Sequence, residues 1–501
     1  HGGTMTCQPG VGPVCQNEVV PSQEICGGGQ DEDCDGFVDE GCGGVCVPYE
    51  TEPCYEGQPG TANVGICEEG YRQCYSTGTG WSPCYDQVLP EAEDLCGNDV
   101  DDDCDGNQND ETCVMPIAQG VWVDWDHGSD DTGDGSFDNP WKTIVKGHQS
   151  GKKLVYAKAD ADGTVYLESL NLGSANHNIT LKGWGPTRPV ISGRFHIVHC
   201  YDCTIENFEL RYPKPGQLGQ DPQSTIDAVH NYRNTGRDIV LSAPDGLPGG
   251  KDLANCHHGY DNLFVDVVID DVVFMPNDDS GHFGLIDWHD HGSGSQFIRV
   301  SLGDNITAAP GAGPNIDVTF LSAWGYCDNW PDGVTAVRSC LAAGLDLESM
   351  VPGSSSFTAV KLGCYLITES PTGFMVANNT FTNIVAGTVN AVVLENNQQF
   401  EPWITSNIFG PFYGNQSTGL QSGFAAQVVY SDIYQVESPT GGDAGLGAGC
   451  ISQEPKFMNP NVGNYQLGPG SPCINTGDPA LLDADGTPTD MGAYGGPYGD
   501  G

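Results

Sequence analysis

Thirteen of the chain's 21 cysteines fall within its first 113 residues, and that density limits what this stretch can become. A segment so rich in Cys, Gly and Pro, with so little hydrophobic periodicity, has scant core of its own. It reads as short hairpins held by disulfides. Two cysteine-framed stretches, Cys26–Cys42 and Cys96–Cys113, carry the same acidic loop. The first holds Asp31, Asp33, Asp35 and Gly36, with Asp39 and Glu40 just behind. The second holds Asp101, Asp103, Asp105 and Gly106, followed by Asn109, Asp110 and Glu111. Oxygen donors at every second position, with a glycine for the sharp turn, suit Ca²⁺. Neither loop has the Glu at position 12 that an EF-hand requires, so a disulfide-framed calcium loop is expected. The alternative is a solvated acidic loop that binds nothing. Duplication with the cysteines in register argues against it.

The formal net charge is −49, from 67 acidic and 18 basic residues. The first 113 residues hold 24 of the acids and one basic side chain, Arg72. Such a surface repels nucleic acid and anionic membranes, and favours divalent cations that neutralise it. The cysteine count implies an oxidising, extracytoplasmic environment, and an odd total leaves one thiol free or open to another chain. Zinc is the competing reading of close pairs such as Cys42/Cys46 and Cys200/Cys203, but no matching half with histidines follows. The chain starts at His1 without an initiator Met or apolar leader, which a removed signal peptide would explain. No run approaches 18 consecutive apolar residues, so no membrane span is expected. A secreted or cell-surface location follows.

Composition separates residues 1–113, a cysteine-rich module; 114–120, a junction; 121–450, a long run of short β segments; and 451–501, a closing segment. The β runs begin at Lys153, Asn178, Cys203, Asn262, Gln296, Asn315, Phe374 and Trp403, with Gly- and Asn-rich turns between and no helical period of useful length. Asn379-Thr-Phe381 recurs as Asn407-Ile-Phe409 and, more weakly, as Asp432-Ile-Tyr434. Such spacing is about one turn of a parallel β-helix, with Asn at a corner and an apolar residue two places on. A β-sandwich is the rival, but the Asn-Gly and Asp-Gly hairpin turns it needs are scarce. The expected fold is all-β: a parallel β-helix behind an N-terminal, disulfide-rich calcium-loop module.

The two acidic loops and the Cys-Tyr-x-Gly…Gly-Ile-Cys stretch between them resemble the MopE-type metal-binding repeat of secreted bacterial surface proteins. The opening segment Val121–Val145 looks like the N-terminal signature of secreted right-handed parallel β-helix proteins of the pectate-lyase-like superfamily. The ending, Glu454–Asp478 and Asp483–Gly496, is similar to the last rung and cap of that family. These matches cover residues 24–145 and 454–496; between them the likeness is one of style. The resemblance implies fold and location, and hardly any activity.

Asp483, Asp485 and Asp490 in the closing segment repeat the calcium-loop grammar, and Asp124, Asp126, Asp130, Asp131, Asp134 and Asp138 crowd the opening one. Capping of turn amides by the carboxylates is the other reading for both. His230, His257, His258, His282, His289 and His291, with Asp287 or Asp290, could form a metal or acid–base site; ordinary ladder histidine is the simpler account. Asn277–Phe283 shares fragments of the polygalacturonase pattern. In that family, however, the paired Asp and the Gly-His lie on different rungs, and the Arg-x-Lys that follows there is missing here. Four Asn-x-Ser/Thr sequons, at Asn178, Asn305, Asn378 and Asn415, leave glycosylation open. No catalytic residues are assigned. The expectation is a calcium-binding structural or adhesive protein that self-associates into a fibre or surface layer, or binds surface glycans. A polysaccharide-binding or polysaccharide-degrading β-helix is the alternative. The closing segment is expected to cap one end of the helix.

Overall fold

The computed structural model of the chain describes residues 4–8, 12–16, 51–73, 81, 84, 87–90, 101, 103–104, 106, 120–172, 178–214, 216–217, 222–275, 282–292, 295–309, 316–326, 335–350, 355–366, 374–395 and 402–499. The chain divides into two compact units, His1–Asp94 with Asp99–Thr112, and Leu95–Asn98 with Cys113–Gly501. Within the first, Thr4–Gln8 pairs antiparallel with Gly12–Gln16, and Thr51–Cys54 with Gly70–Gln73. Disulfides Cys54–Cys84 and Cys67–Cys104 join residues 30 and 37 apart. Covalent staples of this kind narrow the unfolded ensemble.

The second unit is a parallel β-helix. Among the described residues, 27 strands hydrogen-bond into one continuous sheet. Its pairings are parallel, from Val121–Val123 beside Leu154–Lys158 to Gln416–Val429 beside Ser438–Leu446. One rung shows the path. Ser224–Tyr232 turns through Arg233 into Thr235–Pro248, which bends at Asp238, and Asp252–Tyr260 then begins the next rung in register with Ser224–Tyr232.

The bend at Asp238 repeats up the molecule. Register stacks Asn207, Asp238, Asp266, Arg299, Ser339, Asn378, Ser406 and Tyr430, all left-handed with φ between 44° and 58°. One left-handed residue breaks the strand's path without ending its hydrogen-bond ladder. Four of the eight are Asn or Asp, the non-glycine residues that adopt this region most readily.

Asparagine ladders hold the corners. Cys203 N–H donates to Asn234 Oδ1 (2.9 Å), Asn234 N–H to Asn262 Oδ1 (3.0 Å) and Asn262 N–H to Ser295 Oγ (3.4 Å). The same order, Cys–Asn–Asn–Ser, recurs at the next corner. There Cys340 N–H donates to Asn379 Oδ1 (2.9 Å), Asn379 N–H to Asn407 Oδ1 (3.0 Å) and Asn407 N–H to Ser431 Oγ (3.1 Å). The third member of the repeat is therefore Ser431, 24 residues after Asn407, and not Asp432. Likewise Phe409 pairs with Ile433, and Tyr434 stands outside the pattern. A serine hydroxyl supplies the needed acceptor on a shorter stem, which ends the ladder.

Between the corners the interior is filled by stacked apolar side chains: Phe264 on Phe297 (centroids 5.6 Å apart) and Phe381 on Phe409 (6.0 Å). Helix α1, Ile144–Gln149, lies on the first rung. Thr143 Oγ1 accepts from Lys146 N–H (3.0 Å) at its start, and Glu168 accepts from Ile144 N–H (2.7 Å) and Val145 N–H (3.0 Å). Gly147 permits the contact, since a Cβ there would stand 2.8 Å from Val123 Cγ1 and 2.9 Å from Val155 Cγ1. Six residues are too few for a helical period to be visible in sequence.

The closing segment does not cap the end; it runs back along the side. Trp403 and Thr405 donate to Asp478 Oδ2 (3.1 and 2.9 Å), Asn378 Nδ2 donates to Asp490 O (3.0 Å), Ala493 N–H donates to Thr380 Oγ1 (2.9 Å), and Tyr498 lies over Arg338. The left-handed bends explain this course, because the side chains of Asn378 and Ser406 are free to bond a strand laid across them. The last strand of the parallel sheet, Ser438–Leu446, closes the core with small residues: Thr440, Gly442 and Ala444 sit beneath Leu420, Ser422 and Ala426. Its Pro439, glycines and Asp443 are features that blunt a free strand edge.

Candidate functional site

The second acidic loop is partly described. Asp101 is 5% exposed, and its Oδ2 accepts from Gly106 N–H (2.9 Å), curling the six-residue turn onto its first carboxylate. Gly106 takes φ 94°, a left-handed value that a side chain would strain. The loop is pinned from behind. Ile66 N–H donates to Asp101 O (3.1 Å), Cys104 is bridged to Cys67, and a Cβ on Gly65 would fall 2.1 Å from Asp101 O. Asp103 lies in the same turn. Asp105, Asn109, Asp110 and Glu111 lie outside the described residues, as do Asp31, Asp33, Asp35, Asp39 and Glu40 of the first loop. Among the described residues, no group of three or more His, Cys, Asp or Glu side chains is arranged around a metal position. Of the acids in this loop, Asp101 and Asp103 are described, and Asp101 already commits Oδ2 to Gly106 N–H.

The closing loop behaves differently. Asp483 accepts from Asp490 N–H (3.0 Å), Thr489 Oγ1 (3.0 Å) and Gly496 N–H. Asp485 Oδ1 accepts from Thr487 N–H (2.9 Å) and Oγ1 (2.7 Å), and Asp490 Oδ1 from Asn475 N–H (2.6 Å). Burial pushes the Asp483 and Asp490 carboxyls up, while the Thr487 bonds hold Asp485 down. These are capping bonds that shape the segment. The opening segment does the same: Asp124 accepts from Asp126 and His127 N–H, and Asp130 from Lys142 and Thr143 N–H.

A third candidate is a polar column pointing away from the core, in which Asp227, Asn255 and Ser322 are buried. Register aligns His196, Asp227, Asn255, Asp287 and Ser322, while Ala228, Cys256 and Trp288 between them face the core. Arg194 is ion-paired with Asp227, with His196 Nε2 3.8 Å away, and Asn255 Nδ2 donates to Asp252 Oδ2 (3.1 Å). Burial, then Arg194, lowers the His196 pKa against the pull of Asp227, so the imidazole is neutral at neutral pH. Two residues along, His257 pairs in register with His289. Of the polygalacturonase-like fragment, residues 277–281 lie outside the described residues.

Other sequence readings resolve individually. Cys200 and Cys203 form a disulfide, which removes them as a zinc pair. Among the described residues Cys256, Cys340, Cys450 and Cys473 are free thiols, so more than one is unpaired. Asn378 is 2% exposed and donates to Thr489 and Asp490, which closes that sequon to a glycan. Sequence reasoning missed the ladder residues Asn234 and Asn262 and the Arg194–Asp227 pair. Asn262-Leu-Phe264 repeats the Asn-x-Phe motif and was a usable signal. It belongs to a different corner from Asn379, so spacing alone hid it.

No protein-family model matches the chain, and no curated protein matches it in sequence. Among the described residues no helix is long and apolar enough to cross a membrane.

Proposed function

We propose that this is a non-catalytic, calcium-binding structural or adhesive protein of the cell exterior, most specifically a subunit of an extracellular fibre or surface layer. The observation that carries the calcium part is the turn at Asp101, with its buried carboxylate closed on Gly106 N–H and its backbone held by Ile66 and the Cys67–Cys104 bridge. Asp101 and Asp103 would hold the ion with the acids that follow in the repeat, and the bound ion would offset the charge of a module with 24 acids and one base. The β-helix supplies a stiff body, since its core is filled and its last strand carries edge-blunting residues. Calorimetry tests the reading: EDTA-treated protein should melt higher on adding Ca²⁺ and much less so with Zn²⁺. An unchanged melting temperature in excess Ca²⁺ ends it.

Glycan binding or cleavage is the second reading, favoured by the aligned polar side chains at His196, Asp227, Asn255 and Asp287. Incubation with neutral and acidic polysaccharides should release no reducing or unsaturated ends. Turnover that Asp227→Asn abolishes would establish this reading instead.

A further inference from the structure

Asp432 stands where the chain leaves the last turns of the β-helix and where the closing segment returns to it. Its residue is fully buried, at 0% exposure. Oδ1 accepts from Gln453 N–H (3.0 Å), on the outgoing chain, and Oδ2 lies 3.4 Å from Cys473 Sγ, on the returning chain. Cys473 is itself buried in an apolar cluster with Ile408 and Met491, against which Ile451, Phe457 and Leu467 pack. The corner ladder does not need this carboxyl, since Ser431 already ends it one residue earlier.

We infer that Asp432 is an acid latch: its neutral carboxyl holds the closing segment against the side of the β-helix, and its ionisation loosens that contact. The geometry supplies the reason. A charged carboxylate would sit fully buried against an apolar cluster, with the amides of Gln453 and Ile433 and a weak thiol as its donors. The groups facing it add no positive charge. From the closing segment come Cys473 and, beyond it, Asp490, whose negative charge acts on the same thiol. Lys456, the nearest base along the outgoing chain, gives its ammonium to Gly470 O (2.9 Å). Burial correspondingly pushes the Asp432 carboxyl up to about 6. With the folded value above the unfolded one, the contribution to docking is complete below the unfolded value and is lost as pH rises through about 6.

The test is hydrogen exchange of peptides from residues 454–499 in the full chain, as protection factors corrected for intrinsic rate, between pH 5 and pH 8. Peptides from residues 195–395 report global folding in the same spectra. Wild-type protection of the closing segment should fall roughly ten-fold across this range and level off above about 6, while the β-helix peptides hold. Asp432→Asn should stay at the high, acidic-side level throughout, and Asp432→Ser serves as a second neutral variant. Cys473→Ala should keep the pH dependence. A flat wild-type profile overturns the inference. So does an Asp432→Asn profile that falls like the wild type, which would place the titration at Asp483 or Asp490, or one low at both pH values, which would mean that the charge itself holds the segment.

Discussion

Asn407 shows no surface to solvent, yet its amide makes three bonds across rungs. Oδ1 accepts from Asn379 N–H (3.0 Å) and Nδ2 (2.9 Å), and Nδ2 donates to Val376 O (2.9 Å). Replacing it with alanine strands buried donors and an acceptor. Asn407→Ala should therefore cost roughly 2–4 kcal/mol in denaturant unfolding. The neighbouring apolar stack sets a comparison: Phe381→Ala, which opens a cavity against Phe409, should cost about 3–5 kcal/mol. Near-zero loss for Asn407→Ala would mean the ladder is incidental. Gly65 poses the same kind of question for the acidic loop. At φ 57°, with a would-be Cβ 2.1 Å from Asp101 O, Gly65→Ala must displace the turn. It should reduce the Ca²⁺-dependent rise in melting temperature while the β-helix transition is unchanged. An undiminished rise would show that the residues behind the turn do not position it.

At the scale of elements, short β runs between Gly- and Asn-rich turns marked the strands well: runs beginning at Lys153, Gln296, Phe374 and Trp403 became Leu154–Lys158, Gln296–Leu302, Phe374–Ala377 and Trp403–Thr405. A short apolar run bounded by turn residues is a local property and survives in sequence. The corners were less legible, because a left-handed bend needs one permissive residue and Arg299, Ser339 and Tyr430 occupy it as well as Asn and Asp. The closing segment was misplaced for a related reason. Its strand and turn pattern looks like a cap, but its course depends on donors at Trp403, Thr405 and Asn378, up to 112 residues distant. Asp478→Ala removes the acceptor shared by Trp403 and Thr405. It should raise exchange in the closing segment while the ladders at Asn234 and Asn379 stay protected. Equal loosening of the rungs would mean that this segment is part of the body and not a strap.

For the whole molecule, a charge of −49 makes cations a condition of close contact between copies. If the chain forms a fibre through its N-terminal module, EDTA should dissolve the polymer, and removal of residues 1–113 should leave a folded monomer. Electron micrographs of native material at matched concentration check both. A truncated protein that still polymerises moves the contact to the β-helix.

What the sequence by itself determined is the local grammar: short β runs between turn residues for strands, cysteine density for a stapled module, and a duplicated acidic motif. Such features are written in neighbouring residues, so they can be read there. Only the tertiary structure decided the register, because rungs of 24, 28 and 39 residues bring Ser431, Asn407, Asn379 and Cys340 into one column despite unequal loops. It alone buried Asp432 between two stretches of chain and set His196 beside Asp227. Burial and proximity depend on how the chain returns to itself. Beyond the 28-residue spacing that aligns Asn379 with Asn407, loop lengths of this irregularity leave no period from which that return could be counted.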